Sequence, residues 1–140
     1  MQDAGAGGGI IELPNGEKSV DAKDVPKDAR LVVDQVKFDP NPVTSRSRPI
    51  YASIKVTDTR RYVVRNATVF IRSTPLLTSG GDNGFTSTDG WITYALQPES
   101  DFPLRNGYNV QFFVKAYRKG DPGLGGIYGS RLVQVATKSP

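Results

Sequence analysis

Asp82, Asn83 and Asp89 set oxygen-bearing side chains close together within "GGDNGFTSTDG" from Gly80 to Gly90. A calcium loop needs several oxygens converging from spacing such as D-x-[DN]-x-[DN]-G. This stretch lacks that spacing. Asp-Gly between two strand-forming stretches is instead a turn signal: glycine accepts positive φ, and aspartate bonds nearby amides. Asp89 and Gly90 therefore read as a structural turn, and no metal site is expected. Gly-rich "GDPGLGG" (Gly120–Gly126) resembles a phosphate loop only in composition. No Lys-Ser/Thr follows it, and no helix is expected to receive the charge, so it reads as a hairpin loop.

A Lys–Asn isopeptide crosslink needs both residues on neighbouring strands beside a buried acid. Lys37, Lys55, Asn66 and Asn109 lie near expected strands, but Lys55 and Asn109 fall on outward faces, so all four read as surface residues. Asn66-Ala67-Thr68 is also a glycosylation sequon. The 140 residues include no histidine and no cysteine. That removes the commonest general base, the commonest metal ligand and every thiolate. No spacing points to a Ser-Lys or Lys-carboxylate pair, so the chain reads as non-enzymatic, with no cofactor.

The elements around these residues are strands. Ten prolines and fifteen glycines interrupt the chain too often for long helices. Residues 1–29 read as a flexible, acidic, Gly-rich tail or linker, and residues 30–140 as the folded domain. The tail holds six acids against three lysines, net −3; the remainder holds fifteen bases against eight acids, net +7, and the two sum to +4. Within the tail, Ile10, Ile11 and Leu13 form an apolar patch that is a candidate assembly strand, able to add to a sheet edge.

From Leu31 the apolar residues recur every second position, the signature of half-buried strands. Val32, Val36 and Phe38 are expected on one face. Ile50, Ala52, Ile54 and Val56 are expected inward, as are Ala67, Val69 and Ile71. The same holds for Ile92, Tyr94 and Leu96, then Tyr108, Val110, Phe112, Val114 and Ala116, and finally Val133 and Val135. Six or seven strands joined by Gly, Pro, Asn and Asp loops predict an all-β antiparallel sandwich.

"IKVTDTRRYVVRNATVFIRS" (Ile54–Ser73), then "TSTDGWITYAL" (Thr86–Leu96), then "YNVQFFVKAY" (Tyr108–Tyr117) resembles the bacterial Ig-like domains of the invasin and intimin type over roughly residues 31–137. The chain departs from that pattern in the longer insertion Ser73–Gly84 and the lengthened last hairpin Arg118–Ser130. The resemblance implies an Ig-like antiparallel β-sandwich of about seven strands, extracellular and non-catalytic, of the kind found in tandem arrays and adhesins.

Phe70, Phe113 and Tyr117 stand opposite the inward residues of their strands, and in an Ig-like arrangement the three rings share one outer face. They are the candidate interaction residues, covered either by the tail or by a partner. The functional expectation is a structural or protein-interaction module at a bacterial cell surface. One alternative is a filament subunit assembled through its N-terminal segment by strand addition. Another is a carbohydrate-binding sandwich using Trp91, Tyr94 or Tyr128. Expected partners are a protein or neighbouring copies of the same module, with an anionic cell-wall polymer suggested by the basic body. The arginines of "SRSRP" (Ser45–Pro49) and "TRRYVVR" (Thr59–Arg65) have only Tyr62 among them, so no nucleic acid is expected. No apolar run approaches the ~20 residues that span a bilayer, and no apolar leader follows Met1.

Overall fold

The computed structural model describes residues 9–118 and 129–140. It is an all-β sandwich. Eleven strands form among the described residues: β1 (Ile11–Glu12), β2 (Lys18–Asp21), β3 (Leu31–Asp39), β4 (Ile50–Asp58), β5 (Val63–Arg65), β6 (Thr68–Thr74), β7 (Thr78–Ser79), β8 (Gly84–Phe85), β9 (Trp91–Pro98), β10 (Tyr108–Tyr117) and β11 (Ser130–Thr137). The long ones are those in which β-branched and aromatic residues alternate with polar ones. The count exceeds the expected six or seven because five strands of two to four residues, β1, β2, β5, β7 and β8, are too short to show a period.

Two sheets face one another. The first has seven strands in the order β1-β2-β5-β4-β9-β7, with β3 on the remaining edge of β4; the second runs β11-β10-β6-β8. Strand β4 organises the first sheet. One edge pairs with β3 along nearly its whole length. The other edge pairs with β9 from Ile50 to Lys55 and then with β5 at Thr57. Its inward residues Ile50, Ala52, Ile54 and Val56 have no solvent exposure, as the alternation predicts. They meet Val69, Ile71, Phe112 and Val114 of the second sheet in one core. The Phe38 and Phe112 rings pack 5.0 Å apart across the layers, within the range of favourable tilted aromatic pairs.

Two expected faces differ. In β3, Leu31 and Val33 are buried while Val32 is only half-buried. The register shifts between Val33 and Gln35, and that irregularity moves the inward set from odd to even positions. Val36 and Phe38 therefore reach the core, but Val32 does not share their face. Tyr108, expected inward, is 41% exposed at the start of β10.

The segment expected as a flexible tail is, from Gly9 onward, part of the first sheet. β1 and β2 form an antiparallel hairpin, and β2 then pairs in parallel with β5, Ser19 to Val63 and Val20 to Val64. Val20 is completely buried, and Ala22, Val25 and Ala29 are nearly so. Arg118 holds the following turn by donating to the carbonyls of Val25, Pro26 and Ala29 at 2.7, 3.3 and 3.1 Å. Sequence alone shows no period here because each buried residue sits in a different local conformation: strand, 3-10 turn or loop. The domain described thus begins before residue 30. A chain starting at Arg30 is expected to lose cooperative unfolding, since burying each valine side chain is worth about 1.5–3 kcal/mol. An unchanged circular-dichroism melting midpoint for the shortened chain would contradict this placement.

Candidate functional site

The Thr86–Leu96 stretch closes a turn. The Ser87 amide donates to the Trp91 carbonyl at 2.9 Å and the Gly90 amide to Ser87 at 2.9 Å. Asp89 is exposed, and its Oδ1 accepts the Trp91 amide at 3.1 Å. Gly90 has φ +82°, and a Cβ there would lie 2.9 Å from both the Val56 oxygen and the Val63 Cβ. It sits at the junction where β9 and β5 meet the same edge of β4, and its carbonyl takes the Val56 amide at 2.9 Å. The sequence placed this pair correctly as a turn; only the fold explains why the glycine must be bare. Among the described residues no three His, Cys, Asp or Glu side chains gather as a metal site. A shallow depression of about 430 Å³ beside the turn is lined by Leu13, Pro14, Asn15, Ser87, Thr88 and Asp89, with a single carboxylate and no second titratable group. Gly120–Gly126 and Tyr128 lie outside the described residues.

Two of the four residues weighed for a crosslink, Lys55 and Asn66, have other partners. Lys55 Nζ donates to Glu17 Oε2 at 2.8 Å, and Asn66 Nδ2 donates to Asp21 Oδ2 at 2.8 Å. Lys55, with help from Asn15, lowers the Glu17 pKa below the ordinary carboxylate value. For Asp21, burial pushes upward, but the Asn66 amide and the Lys23 backbone amide outweigh it and the pKa is lowered. Both carboxylates belong to the N-terminal hairpin and both bind the body, so they act as clips. Trp91 is half-buried, with Lys37 and Lys55 over its ring at 5.1 and 6.0 Å. Tyr94 points inward and bridges the sheets. Its hydroxyl donates to the Val69 carbonyl and accepts the Gly84 amide, each at 2.6 Å, and burial raises its pKa. Neither ring of this pair offers a flat exposed platform.

Phe70, Phe113 and Tyr117 do come together. β6 and β10 are neighbours, with Lys115 opposite Phe70, Arg72 opposite Phe113 and Thr68 opposite Tyr117. The three rings occupy the outer face of the four-stranded sheet, each half-exposed. Two further residues extend the patch. Leu132 lies opposite Phe113 on β11 and is 62% exposed; Phe85 lies opposite Thr68 on β8 and is 64% exposed. Leu132 precedes Val133, which was expected inward, and stands on the opposite face. Phe85 sits in a two-residue strand that carries no such signal. Cations are interleaved: Arg72 lies over Phe70 at 4.9 Å, and Lys115 lies over Phe70 at 5.4 Å and Tyr117 at 4.8 Å. The Tyr117 hydroxyl is fixed by Asn83 at 2.9 Å.

The candidate assembly strand sits elsewhere. Ile10 packs against the core, Ile11 is 44% exposed on the outermost strand of the first sheet, and Leu13 opens the β1–β2 turn, its carbonyl taking the Gly16 amide. This segment pairs within its own chain and does not cover the rings of the second sheet. Among the described residues, no helix is long and apolar enough to cross a membrane. Comparison with protein-family models, with curated proteins and with solved structures gives no match in any of the three.

Two outcomes follow. Asp89→Ala is expected to cost under about 1 kcal/mol, as for one exposed turn hydrogen bond. Gly90→Ala should cost about 2–4 kcal/mol from backbone strain and overpacking. Urea denaturation of both reads the difference, and equal losses would contradict the packing assigned to Gly90. The Glu17–Lys55 clip has a defined pH sign. A carboxylate with a lowered folded pKa stabilises above its unfolded value of about 4.3, and that contribution disappears as pH falls through the folded value. Glu17→Gln should therefore destabilise by about 0.5 kcal/mol near neutrality, discounted for partial exposure, and by nothing in strong acid. A stability gap that persists in strong acid would assign the effect to something other than charge.

Proposed function

We propose that this chain is a non-catalytic, Ig-like β-sandwich module of a bacterial surface or secreted protein, resembling the invasin and intimin type, whose working surface is the outer face of the four-stranded sheet. One observation carries the reading. That face presents three rings together with Phe85 and Leu132, both more than 60% exposed, while the N-terminal segment packs into the opposite sheet. A contiguous apolar patch on a domain surface marks an interaction site more often than not. The basic body favours anionic or acidic partners, and the extracellular setting follows from the resemblance.

A filament subunit is the second reading. β1 ends the first sheet with Ile11 44% exposed, and an unpaired strand edge is a site for a further strand. In this version the N-terminal hairpin of one copy pairs with its neighbour.

The test of the first reading uses Phe113→Ser and Phe85→Ser. Both variants are expected to fold, with thermal midpoints near that of the parent chain, and to lose retention on isolated bacterial envelopes, by about tenfold for a central aromatic anchor. If the folded variants are retained as well as the parent chain, the face is not the contact surface.

A further inference from the structure

A depression of about 350 Å³ opens at the Tyr108 end of β10, with Thr74, Pro75, Tyr108, Asn109, Gln111 and Gln134 in its lining. It lies at the opposite end of that strand from Lys115 and Tyr117. Its volume is that of a small-molecule site, and no lining residue carries a charge. Gln111 stands opposite Thr74 on β6 and opposite Gln134 on β11. The three form a row across the sheet, about 10 Å from end to end at ordinary strand spacing. Asn109 follows on the same face of β10, two residues along. Asn109, Gln111 and Gln134 are all exposed, and none of their side chains hydrogen-bonds to another described residue.

Both walls are fixed from behind. Ser73 Oγ takes the Leu77 amide at 2.6 Å, which holds the wall from Thr74 to Leu77. Thr137 is 2% exposed; it donates to the Arg105 carbonyl at 2.8 Å and takes the Arg105 amide at 3.2 Å. The Tyr108 amide donates to that same carbonyl at 3.3 Å, and the Arg105 guanidinium lies over the Tyr108 ring at 5.7 Å. Walls held in place in the free protein reduce the ordering cost of binding.

The lining selects a chemistry. A carboxamide carries two N–H donors and an acceptor oxygen, and neighbouring sugar hydroxyls each donate and accept. An ion would meet no opposite charge here, and an uncompensated charge is costly to desolvate. A wholly apolar ligand would strip water from three amides and return no hydrogen bonds. Tyr108, Pro75 and Val110 nevertheless supply apolar contact. A pyranose combines the two needs: a rim of hydroxyls and an apolar C–H face that lies flat on an aromatic ring.

From this we infer that the depression binds a neutral sugar, one pyranose ring stacked on Tyr108 with its hydroxyls held by Asn109, Gln111 and Gln134. The row of side chains is long enough for a second linked ring. The site stands apart from the surface assigned to Phe113, Phe85 and Leu132 and does not depend on that reading. It also moves sugar recognition away from Trp91 and Tyr94, whose rings are engaged in the other sheet.

The test is titration of the full chain, followed by nitrogen–proton correlation NMR, in which side-chain amides give their own signals. The probes are cellotriose, maltotriose, galactobiose, mannotriose and chitotriose, with digalacturonate and a neutral Gly-Ser-Gln peptide for comparison. At least one neutral sugar is expected to shift the Asn109, Gln111 and Gln134 amide signals saturably, with an affinity indifferent to salt. Tyr108→Ala should weaken binding about tenfold or more, while Tyr108→Phe retains most of it. Gln111→Ala and Gln134→Ala should each weaken it about three- to tenfold, the loss of one hydrogen bond. These positions are exposed, and an unchanged circular-dichroism spectrum checks folding. Phe113→Ser should leave sugar binding as it is. If no neutral sugar moves these signals, the inference is overturned, as it is if binding survives Tyr108→Ala and both glutamine variants intact. Equal affinity of digalacturonate or the peptide for the same residues overturns the assignment to a neutral sugar. Failure of the sugars together with loss of envelope retention in Phe113→Ser removes this site and leaves the aromatic face standing.

Discussion

Parallel pairing of Lys18–Asp21 with Val63–Arg65 is the contact on which the rest of the molecule depends. It brings Val20, Ala22, Val25 and Ala29 into the core and closes one side of the sandwich. It also commits the N-terminal segment to the first sheet, so that it cannot lie across the rings of the second. Polar clips surround the apolar contact: Arg65 donates to the carbonyls of Ser19 and Gly9, and Ser19 Oγ donates to the Thr88 carbonyl at 2.6 Å. The last of these ties the hairpin to the Asp89–Gly90 turn. Removing the segment would therefore disturb the core, the turn and the end of β4 together.

The two sheets serve different ends. Among the described residues, the first contains the ion pairs and the buried Asp58 carboxylate that takes the Arg60 and Tyr62 amides. The second is joined to it by a packed core and by the Tyr94 hydroxyl, which satisfies one backbone group in each of β6 and the β8 strand. Buried polar groups without such partners are costly, so this bridge fixes the relative position of the layers. With its inner face fixed, the second sheet carries cations and rings side by side on its outer surface.

Much of the architecture was legible in the sequence because strand period is a local property. The inward residues of β4, β6, β9 and β11 follow alternation directly, and the outward positions of Phe70, Phe113 and Tyr117 follow from the same rule. Alternation failed where the chain stops being regular. The bulge after Val33 exchanges the faces of β3, and the N-terminal segment buries its apolar residues through a mixture of strand, turn and loop. Neither leaves a repeating pattern to read.

The sequence by itself determined that the protein is a β-sandwich with a tight Asp-Gly turn and outward aromatics. Each of those depends on neighbours along the chain: side-chain alternation, glycine's access to positive φ and the absence of helical runs. Only the tertiary structure decided which strands lie side by side. That placement set Arg72 and Lys115 over one ring and added Phe85 and Leu132 to the patch. It also put the N-terminal segment in the other sheet. These are contacts between residues far apart in sequence, and the order of strands in a sheet is set by how the whole core closes, which no local pattern encodes.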